Sequence, residues 1–306
     1  MLVVAGPTAT GKTALGIALA RALGGEIVSA DSMQIYRRMD IGTAKASPEE
    51  QARAVHHMID VCDPWENYSV SRYVDEASRI CDDLIARGKL PILVGGTGLY
   101  IDSLLSGRDF AGRQEEDEGL RERLNADYDR LGGQAMLSRL AAFDPERARK
   151  LHPADRRRIV RAIEIYELTG KTITQHDRET QALPPRYRAE KLCLSFRDRE
   201  QLYRRIDRRV DAMVSAGLFE EVEGLLREGL SPESTAMQAI GYKEAAQALR
   251  GELSREQAAS LIKQNSRRYA KRQLTWFRRD VSARWFLWDR EPDIAGALET
   301  IVNHEE

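Results

Sequence analysis

The chain has 306 residues, of which 42% are hydrophobic and 31% are charged, and its formal net charge is −1. This length allows one large α/β domain with an appendage or two modest domains, and the composition is that of a soluble protein with a substantial core. A net charge this close to zero excludes long-range attraction to nucleic acid or to a membrane, so either partner would have to bind a local patch.

The sequence contains neither the pattern of a secretory leader nor an apolar run of the length that a membrane span needs. Three widely spaced cysteines, Cys62, Cys81 and Cys193, form no CxxC pair and are expected to be reduced thiols. We therefore expect a cytoplasmic protein that does not bind membranes and that is a monomer.

The first thirteen residues predict a phosphate-binding site. Leu2–Ala5 is typical of a short buried strand. The pattern G-x-x-x-x-G-K-T follows at once, formed by Gly6, Pro7, Thr8, Ala9, Thr10, Gly11, Lys12 and Thr13. In such a loop consecutive backbone N–H groups wrap a diphosphate, the lysine neutralises the terminal phosphate and the threonine hydroxyl holds Mg²⁺. The helix predicted from Ala14 would begin at the anion.

Two further strand ends are predicted to lie beside this loop. A strand over 26–29 leads into Asp31, and a strand over 90–94 leads into Gly95-Gly96-Thr97. Ligands of open α/β sheets bind beyond the carboxyl ends of the strands, which places Asp31 and Thr97 near the ligand. On position alone, a turn or helix-cap role explains Asp31 equally well. The sequence has no hydrophobic strand that ends in Asp-Glu, so the Walker-B partner typical of an ATPase is missing.

The remaining core pattern is that of alternating helices and strands. Residues 40–70 are polar and are predicted to be irregular, and helical spacing predicts a helix over 71–87. A strand over 191–195 resumes the sheet, a turn is predicted over 239–243, and the last strand is predicted over 284–288.

A helical insertion is predicted between the strands at 90–94 and 191–195. From residue 113 an acidic run at 115–118 precedes several helical segments and a polar stretch, and none of it has strand character. We therefore predict an α/β fold, a P-loop NTPase-like parallel sheet flanked by helices, with an all-helical insertion. The core domain would comprise 1–112 and 190–306, and the insertion 113–189.

Two helical segments are strongly basic within this neutral protein. Arg156–Arg158 and Arg161 begin one helix of the insertion. A long helix predicted over 254–280 carries seven lysines and arginines between Lys263 and Arg279 with no acidic residue among them. Like charges one helical turn apart repel, so an unbalanced basic face favours a bound anion, and RNA phosphate is the candidate. A basic face that is merely solvated is the alternative.

These motifs resemble those of the bacterial tRNA dimethylallyltransferases, and the resemblance extends over nearly the whole chain. The matching segments are GPTATGKT (6–13), ADSMQIYR (30–37), IGTAK (41–45), HHMID (56–60), ILVGGTGLY (92–100), HPAD (152–155), Arg205–Arg209, AIGYKE (239–244) and AKRQLTWFR (270–278). The family transfers a dimethylallyl group from its diphosphate to N6 of the adenosine 3′-adjacent to the anticodon, at tRNA position 37. The resemblance therefore implies Mg²⁺, dimethylallyl diphosphate and the anticodon stem-loop of tRNA as ligands.

The resemblance also implies a role for individual residues. Asp31 would orient N6 and remove its proton, Thr97 would lie between the two substrates, and Arg209 or Arg205 would stabilise the leaving diphosphate. The target base would be extruded into the pocket. The implied tRNA-binding residues are Asp31, Ser32, Met33, Gln34, Arg157, Arg158, Arg161, Gly241, Tyr242, Lys243, Lys271, Arg272, Gln273, Trp276 and Arg278, although the family commonly has glutamine at the position of Arg157.

Three other functions fit parts of this sequence but not all of it. A small-molecule kinase would place ATP in the loop, but it is disfavoured by the missing Walker-B strand and by the basic helices. An RNA-binding module with a vestigial nucleotide site is disfavoured because the loop is complete, with Lys12 and Thr13 both present. A prenyltransferase that acts on free adenylate is disfavoured by the long insertion and its arginines, which suit a macromolecular acceptor.

Overall fold

The computed structural model of the chain describes residues 1–107 and 118–303. Its contacts divide the chain into two compact units: a core unit of Met1–Leu105 plus the chain from Tyr187 onward, and an inserted unit of Ser106–Arg186. The inserted unit begins at residue 106, where 113 was predicted, and it ends at residue 186, where 189 was predicted. The predicted boundary near 112 and the acidic run at 115–118, apart from its last residue, lie outside the described residues.

The core unit is built on a parallel sheet, which confirms the predicted α/β class. Its strands are β1 (Leu2–Ala5), β2 (Glu26–Ser29), β3 (His56–His57), β4 (Pro91–Gly95), β5 (Glu190–Phe196) and β6 (Arg284–Trp288). Within the described residues these six strands pair in the order β3-β2-β4-β1-β5-β6, and every pairing is parallel. The central strand β1 is at most 2% exposed at each residue, because helices cover both of its faces.

The helices alternate with these strands in the core unit and make up the inserted unit. They are α1 (Lys12–Leu23), α2 (Pro48–Gln51), α3 (Val70–Ala86), α4 (Gly98–Ser106), α5 (Glu118–Leu131), α6 (Gly133–Ala141), α7 (Pro145–Ala148), α8 (Arg156–Thr169), α9 (Ile173–Gln181), α10 (Arg199–Ser215), α11 (Leu218–Arg227), α12 (Tyr242–Leu249), α13 (Arg255–Phe277) and α14 (Ile294–Val302). The predicted long basic helix is α13, which begins after the capping side chain of Ser254.

Three local predictions were wrong in part. Residues 40–70 are not irregular throughout, because they contain α2 and the edge strand β3, which pairs with β2. The predicted turn over 239–243 contains the beginning of α12 at Tyr242. The polar stretch after α8 contains α9, which begins at a capping box formed by Thr172 and Gln175. Each missed element is short or polar, so its apolar periodicity is weak.

The register of the sheet places three loops side by side at one edge. Ala5, the last residue of β1, pairs with Gly95 at the end of β4, and Ser29 at the end of β2 pairs with Val94. Two further hydrogen bonds tie the loops together, from the N–H of Ala30 to Val94 and from the N–H of Thr97 to Ala30. The segments after β1, β2 and β4 therefore leave the sheet together, as predicted for a ligand site.

The inserted unit contains helices joined by short connections, with no strand among its described residues, and it has its own small core. Leu124, Met136, Leu140, Ile159 and Ile163 are all buried against one another. Among the helices of residues 1–107 and 118–303, none combines the length and the apolar character needed to cross a lipid bilayer.

Candidate functional site

The loop between β1 and α1 has the backbone conformation that the phosphate-binding motif needs. Gly6 has φ +139°, and a Cβ there would collide with the carbonyl of Leu194 on β5. Ala9 has φ +66°, a left-handed conformation that is costly for a residue with a side chain and that accumulates at functional sites. Gly11 caps α1, so the free N–H groups of its first turn, at Lys12 and Thr13, face an anion site.

Two partly buried cations converge on this loop. The Lys12 ammonium donates to the carbonyl of Pro7 at 2.7 Å, and the Arg209 guanidinium donates to the hydroxyl of Thr8 at 3.2 Å. Burial, followed by repulsion from Arg209, lowers the pKa of Lys12 to about 7, and burial also lowers the pKa of Arg209. Within the described part of the chain, neither cation forms a salt bridge with a carboxylate. Two adjacent cations withdrawn from water without an ion-pair partner are costly, so these side chains mark an anion site.

Arg205, the alternative to Arg209, lies in a different environment. Its Nε donates to the carbonyl of Ala9 at 3.1 Å, its guanidinium lies over the ring of Phe196, and one of its Nη atoms is ion-paired with Glu291. Its charge is thus already balanced by a carboxylate, whereas that of Arg209 is not. Both side chains reach the cavity described below.

Asp31 follows β2 and is held in a tight turn. Its Oδ1 accepts from the N–H of Met33 at 2.9 Å, which is the turn role that the sequence allowed. The other carboxylate oxygen has no hydrogen-bond partner within the described residues, and Asp31 lines the cavity. Its negative charge acts on both Lys12 and Arg209. The turn role and a chemical role are therefore compatible, because they use different oxygens.

Thr97 supports this turn from behind. Its Oγ1 accepts from the N–H of Ser32 at 3.0 Å, and Thr97 is not among the residues that line the cavity. The hydroxyl of Thr97 thus holds the Asp31–Ser32 turn, and its place between the two substrates stays a prediction. A Cβ at Gly95, two residues earlier, would collide with the backbone of Ala30, so this close approach of the two segments requires glycine.

One cavity of about 700 Å³ joins these parts, and its size suits a small diphosphate and one base together. The loop residues Thr8–Thr13 and Arg209 line one part of it. Asp31, Ser32, Met33 and Gln34 line another, as predicted, and apolar side chains contribute to the wall. These apolar residues are Val94, Ile206, Val210, Met213, Ile240 and Ile262.

The cavity contains oxygen donors suited to a Mg²⁺ ion whose other ligands come from a bound phosphate and water. Thr13 lines the cavity in the first turn of α1, and the carboxylate of Asp31 lies on the same cavity. In the described ranges no group of three or more His, Cys, Asp or Glu side chains is arranged to hold a metal. Mg²⁺ commonly takes one or two protein oxygens and completes its shell with phosphate and water, so these residues fit the ion.

Not every predicted tRNA-binding residue is accessible. Tyr242 is fully buried at 0% exposure, and Gly241 is also buried, with its N–H donating to Glu244 at 2.8 Å. The side chain of Tyr242 therefore has no surface to offer RNA, contrary to the prediction, because it packs on Gly42 inside the core. Lys243, the next residue, is exposed.

The basic face of α13 is smaller than the sequence suggested. Lys263 and Arg267 form salt bridges with Asp211 and Asp207 on α10, at 2.6 and 2.5 Å. Their charges are therefore balanced by acidic residues far away in the sequence, which periodicity within α13 does not show. Five cations of this stretch stay exposed and, among described residues, without a carboxylate partner: Arg268, Lys271, Arg272, Arg278 and Arg279.

Two other predicted contacts on α13 have structural partners. Gln273 is 5% exposed and bonds two backbone groups of the site loops. The indole N–H of Trp276 donates to Asp102 at 2.8 Å, and its ring packs on Gly98 at the start of α4. Trp276 is thus a packing residue here rather than an open stacking platform.

The arginines of the inserted unit also divide into two groups. Arg157 and Arg158 are exposed at the start of α8. Arg161 donates to the buried carboxylate of Glu164 at 2.9 Å, and Arg156 pairs with Asp129 at 2.7 Å. The exposed pair is therefore the part of this cluster with charge available for phosphate.

The sequence analysis missed Glu221, which fixes the wall of the cavity. Its carboxylate accepts the backbone N–H groups of Asp40, Ile41 and Gly42 at 2.9, 2.9 and 3.2 Å, and the hydroxyl of Tyr242 at 2.5 Å. Gly42 lines the cavity. No local pattern around Glu221 predicts this, because its backbone partners lie about 180 residues earlier in the chain.

Comparison with known proteins gives consistent matches. A family model described as IPP transferase matches residues 34–280, and one described as isopentenyl transferase matches 1–60. A tRNA dimethylallyltransferase of Thermoanaerobacter pseudethanolicus is 46% identical over 308 residues, covering 99% of this chain and 96% of that protein. The solved tRNA isopentenylpyrophosphate transferase of Bacillus halodurans is 40% identical, with a TM-score of 0.72 and coverage of 99% and 95%.

A solved structure with a lower sequence identity has a higher TM-score to this chain. A eukaryotic dimethylallyltransferase, solved acting on tRNA, is 30% identical with a TM-score of 0.84. The match covers 100% of this chain and 77% of that one.

Proposed function

The chain belongs to the IPP transferase family, and on that premise we infer that it is a tRNA dimethylallyltransferase. It transfers a dimethylallyl group from dimethylallyl diphosphate to N6 of the adenosine 3′-adjacent to the anticodon and releases diphosphate. The observation that carries this assignment is one cavity with two partly buried cations at the phosphate loop, neither in a salt bridge among the described residues, and an unshared carboxylate oxygen of Asp31. A kinase is not favoured, because the relatives are prenyltransferases.

The phosphate loop supplies the positive charge that an allylic leaving group needs. The carbon–oxygen bond of dimethylallyl diphosphate ionises readily once charge on the departing diphosphate is neutralised. The N–H groups of the first turn of α1, together with Lys12 and Arg209, supply that neutralisation without rearranging. Arg209 is preferred over Arg205 because Glu291 already balances the charge of Arg205. A Mg²⁺ ion bound through the hydroxyl of Thr13 would add charge stabilisation at the diphosphate oxygens.

Asp31 acts on the acceptor. The lone pair of adenine N6 is conjugated with the ring, so the amine is a poor nucleophile until a base accepts its proton. The oxygen of Asp31 that is free of the Met33 bond can take this hydrogen, while the first oxygen keeps the turn in place. Ser32, Met33 and Gln34 line the cavity next to it and surround the base. Thr97 fixes this turn through Ser32.

The rest of the tRNA is held by exposed cations. On the core unit these are Lys271, Arg272 and Arg278 of α13 together with Lys243, and on the inserted unit they are Arg157 and Arg158. Contacts of this kind bind phosphate without reading sequence, so they position the anticodon stem-loop. The target adenosine then leaves its stack and enters the cavity, at a cost that is smallest in single-stranded RNA.

A transfer assay separates this function from its alternatives. Purified protein, Mg²⁺, unmodified tRNA and dimethylallyl diphosphate should yield prenylated adenosine without any nucleoside triphosphate, because the allylic diphosphate already carries its leaving group. The product is measured by mass analysis of nuclease-digested tRNA. A parallel reaction replaces tRNA with free adenosine monophosphate. A strict requirement for ATP, or modification of the free nucleotide alone, would overturn the assignment.

A further inference from the structure

Gln273 lies on the buried side of α13, where it is one of the residues that line the cavity. Its side-chain carbonyl accepts from the backbone N–H of Thr8 at 3.1 Å, and its side-chain amide donates to the backbone carbonyl of Gly96 at 2.9 Å. Thr8 belongs to the phosphate loop after β1, and Gly96 belongs to the turn after β4. One planar group therefore joins two loops that the sheet only brings near each other.

The chemistry of this bridge is specific to glutamine. It requires an acceptor at one end of the side chain and a donor at the other, and the two backbone partners fix which end is which. A glutamate of the same shape has only acceptors when ionised, and a methionine of similar length has no strong donor or acceptor. Gly96 leaves the necessary space, because a Cβ at this position would collide with the Nε2 atom of Gln273.

The same face of α13 reaches the site loops at neighbouring turns of the helix. The hydroxyl of Tyr269 lies beside Thr97 and Gln273. The indole N–H of Trp276 donates to Asp102 on α4, the helix that follows Gly96 and Thr97. The opposite side of the helix carries exposed cations, including Lys271. The helix that presents charge to RNA is thus fastened to the loops of the cavity through its buried face.

We propose that Gln273 is a positioning residue that sets the distance between the phosphate loop and the turn that presents the acceptor. The connection runs from Thr8 through Gln273 to Gly96, then through Thr97 to Ser32 beside Asp31. This inference rests on the proposed function, in which the loop holds the donor and Asp31 holds the amine. Transfer needs the reacting carbon and N6 in near contact, and a displacement of about 1 Å costs on the order of 10²-fold in rate.

The first test is Gln273→Met, with Gln264→Met as its matched control on the exposed side of α13. We expect the bridge variant to lose about 10- to 100-fold in kcat, with KM for each substrate and Kd for tRNA within about threefold of wild type. The control should match wild type. If Gln273 instead contacts RNA directly, its loss would weaken tRNA binding and leave kcat at saturation unchanged, which would overturn the proposal.

A second variant supplies a pH readout that simple loss of packing would not give. In Gln273→Glu the introduced carboxyl can donate to Gly96 only when it is protonated. The ratio of variant to wild-type kcat should therefore rise as the pH falls from about 8 to about 5.5, toward the ordinary range of a carboxyl group. A ratio that stays constant across this range, or that falls with the pH, would contradict the bridge.

A third measurement does not depend on transfer at all. Amide hydrogen exchange of the peptide that contains Thr8 should speed up in Gln273→Met and not in Gln264→Met, because the acceptor of that N–H is gone. If wild-type protein transfers nothing, the proposed function fails while this readout still decides whether the bridge exists. If wild type transfers and Gln273→Met equals it in both kcat and exchange, the inference is wrong.

Discussion

The lowered pKa of Lys12 predicts that binding of dimethylallyl diphosphate takes up a proton. In the free site, burial and the neighbouring Arg209 lower the pKa of Lys12 to about 7, so the amine is mostly neutral at higher pH. A bound diphosphate favours the charged form and raises this pKa again. At about pH 8.5, the free lysine is roughly 3% protonated and the bound one almost fully, so binding should take up about one proton.

The same linkage fixes the sign and size of the pH dependence. The affinity for dimethylallyl diphosphate is greatest below the pKa that Lys12 has in the free site. It falls as the pH rises, because binding must then add a proton to the lysine. Between about pH 7 and pH 9 the protonated fraction of the free lysine drops from about one half to about one hundredth, so affinity should fall about 50-fold. Below about pH 7, full protonation of Lys12 adds at most a further gain of about twofold.

Calorimetry measures this proton directly. Dimethylallyl diphosphate is titrated without tRNA at about pH 8.5 in two buffers of different ionisation enthalpy, and the difference in heat gives the protons taken up. Lys12→Met should abolish the uptake. Lys191→Met is the matched control, since Lys191 is ion-paired with Asp102 and Asp280 away from this cavity, and it should keep the uptake. Wild-type binding without proton uptake would refute the lowered pKa of Lys12 in the free site.

Three other predictions follow from the same site. Reversing Lys271 and Arg278 to glutamate should weaken tRNA binding and reduce its salt slope by about 0.7–0.9 for each lost phosphate contact; an unchanged salt titration would mean that this face is only solvated. Arg209→Leu should slow transfer by about 10²–10³-fold, more than Arg205→Leu does, and equal losses would contradict the assignment. Thr13→Val should raise the Mg²⁺ concentration needed for half-maximal rate by about tenfold or more, whereas an unchanged Mg²⁺ curve would remove Thr13 from the metal site.

The phosphate loop and the strand ends could be predicted because their signals are local. Gly6, Gly11 and Lys12 stand at fixed spacing after a buried strand, and parallel pairing brings Asp31 to the same edge. The family resemblance then supplied the chemistry, which the spacing alone left open. The edge strand β3 is only two residues long, so no alternation could reveal it.

The parts that could not be predicted depend on partners far away in the chain. Glu221 holds the backbone of residues 40–42, and Gln273 joins Thr8 to Gly96, yet each looks in the sequence like an ordinary polar helix residue. Pairing of Lys263 with α10 likewise cancels a charge that periodicity had assigned to RNA. A hydrogen bond between distant segments has no local pattern, so only the folded chain shows it.

The central claim is that Asp31 uses one oxygen for its turn and the other for the acceptor amine. Asp31→Asn separates these roles, because an asparagine carbonyl can still accept from the N–H of Met33 but cannot take a proton from N6. We predict that single-turnover transfer falls by about 10²–10⁴-fold in both Asp31→Asn and Asp31→Ala. Affinity for tRNA should stay within about threefold of wild type, since phosphate contacts elsewhere supply most of it. An Asp31→Asn protein that transfers at the wild-type rate would show that Asp31 only shapes the turn.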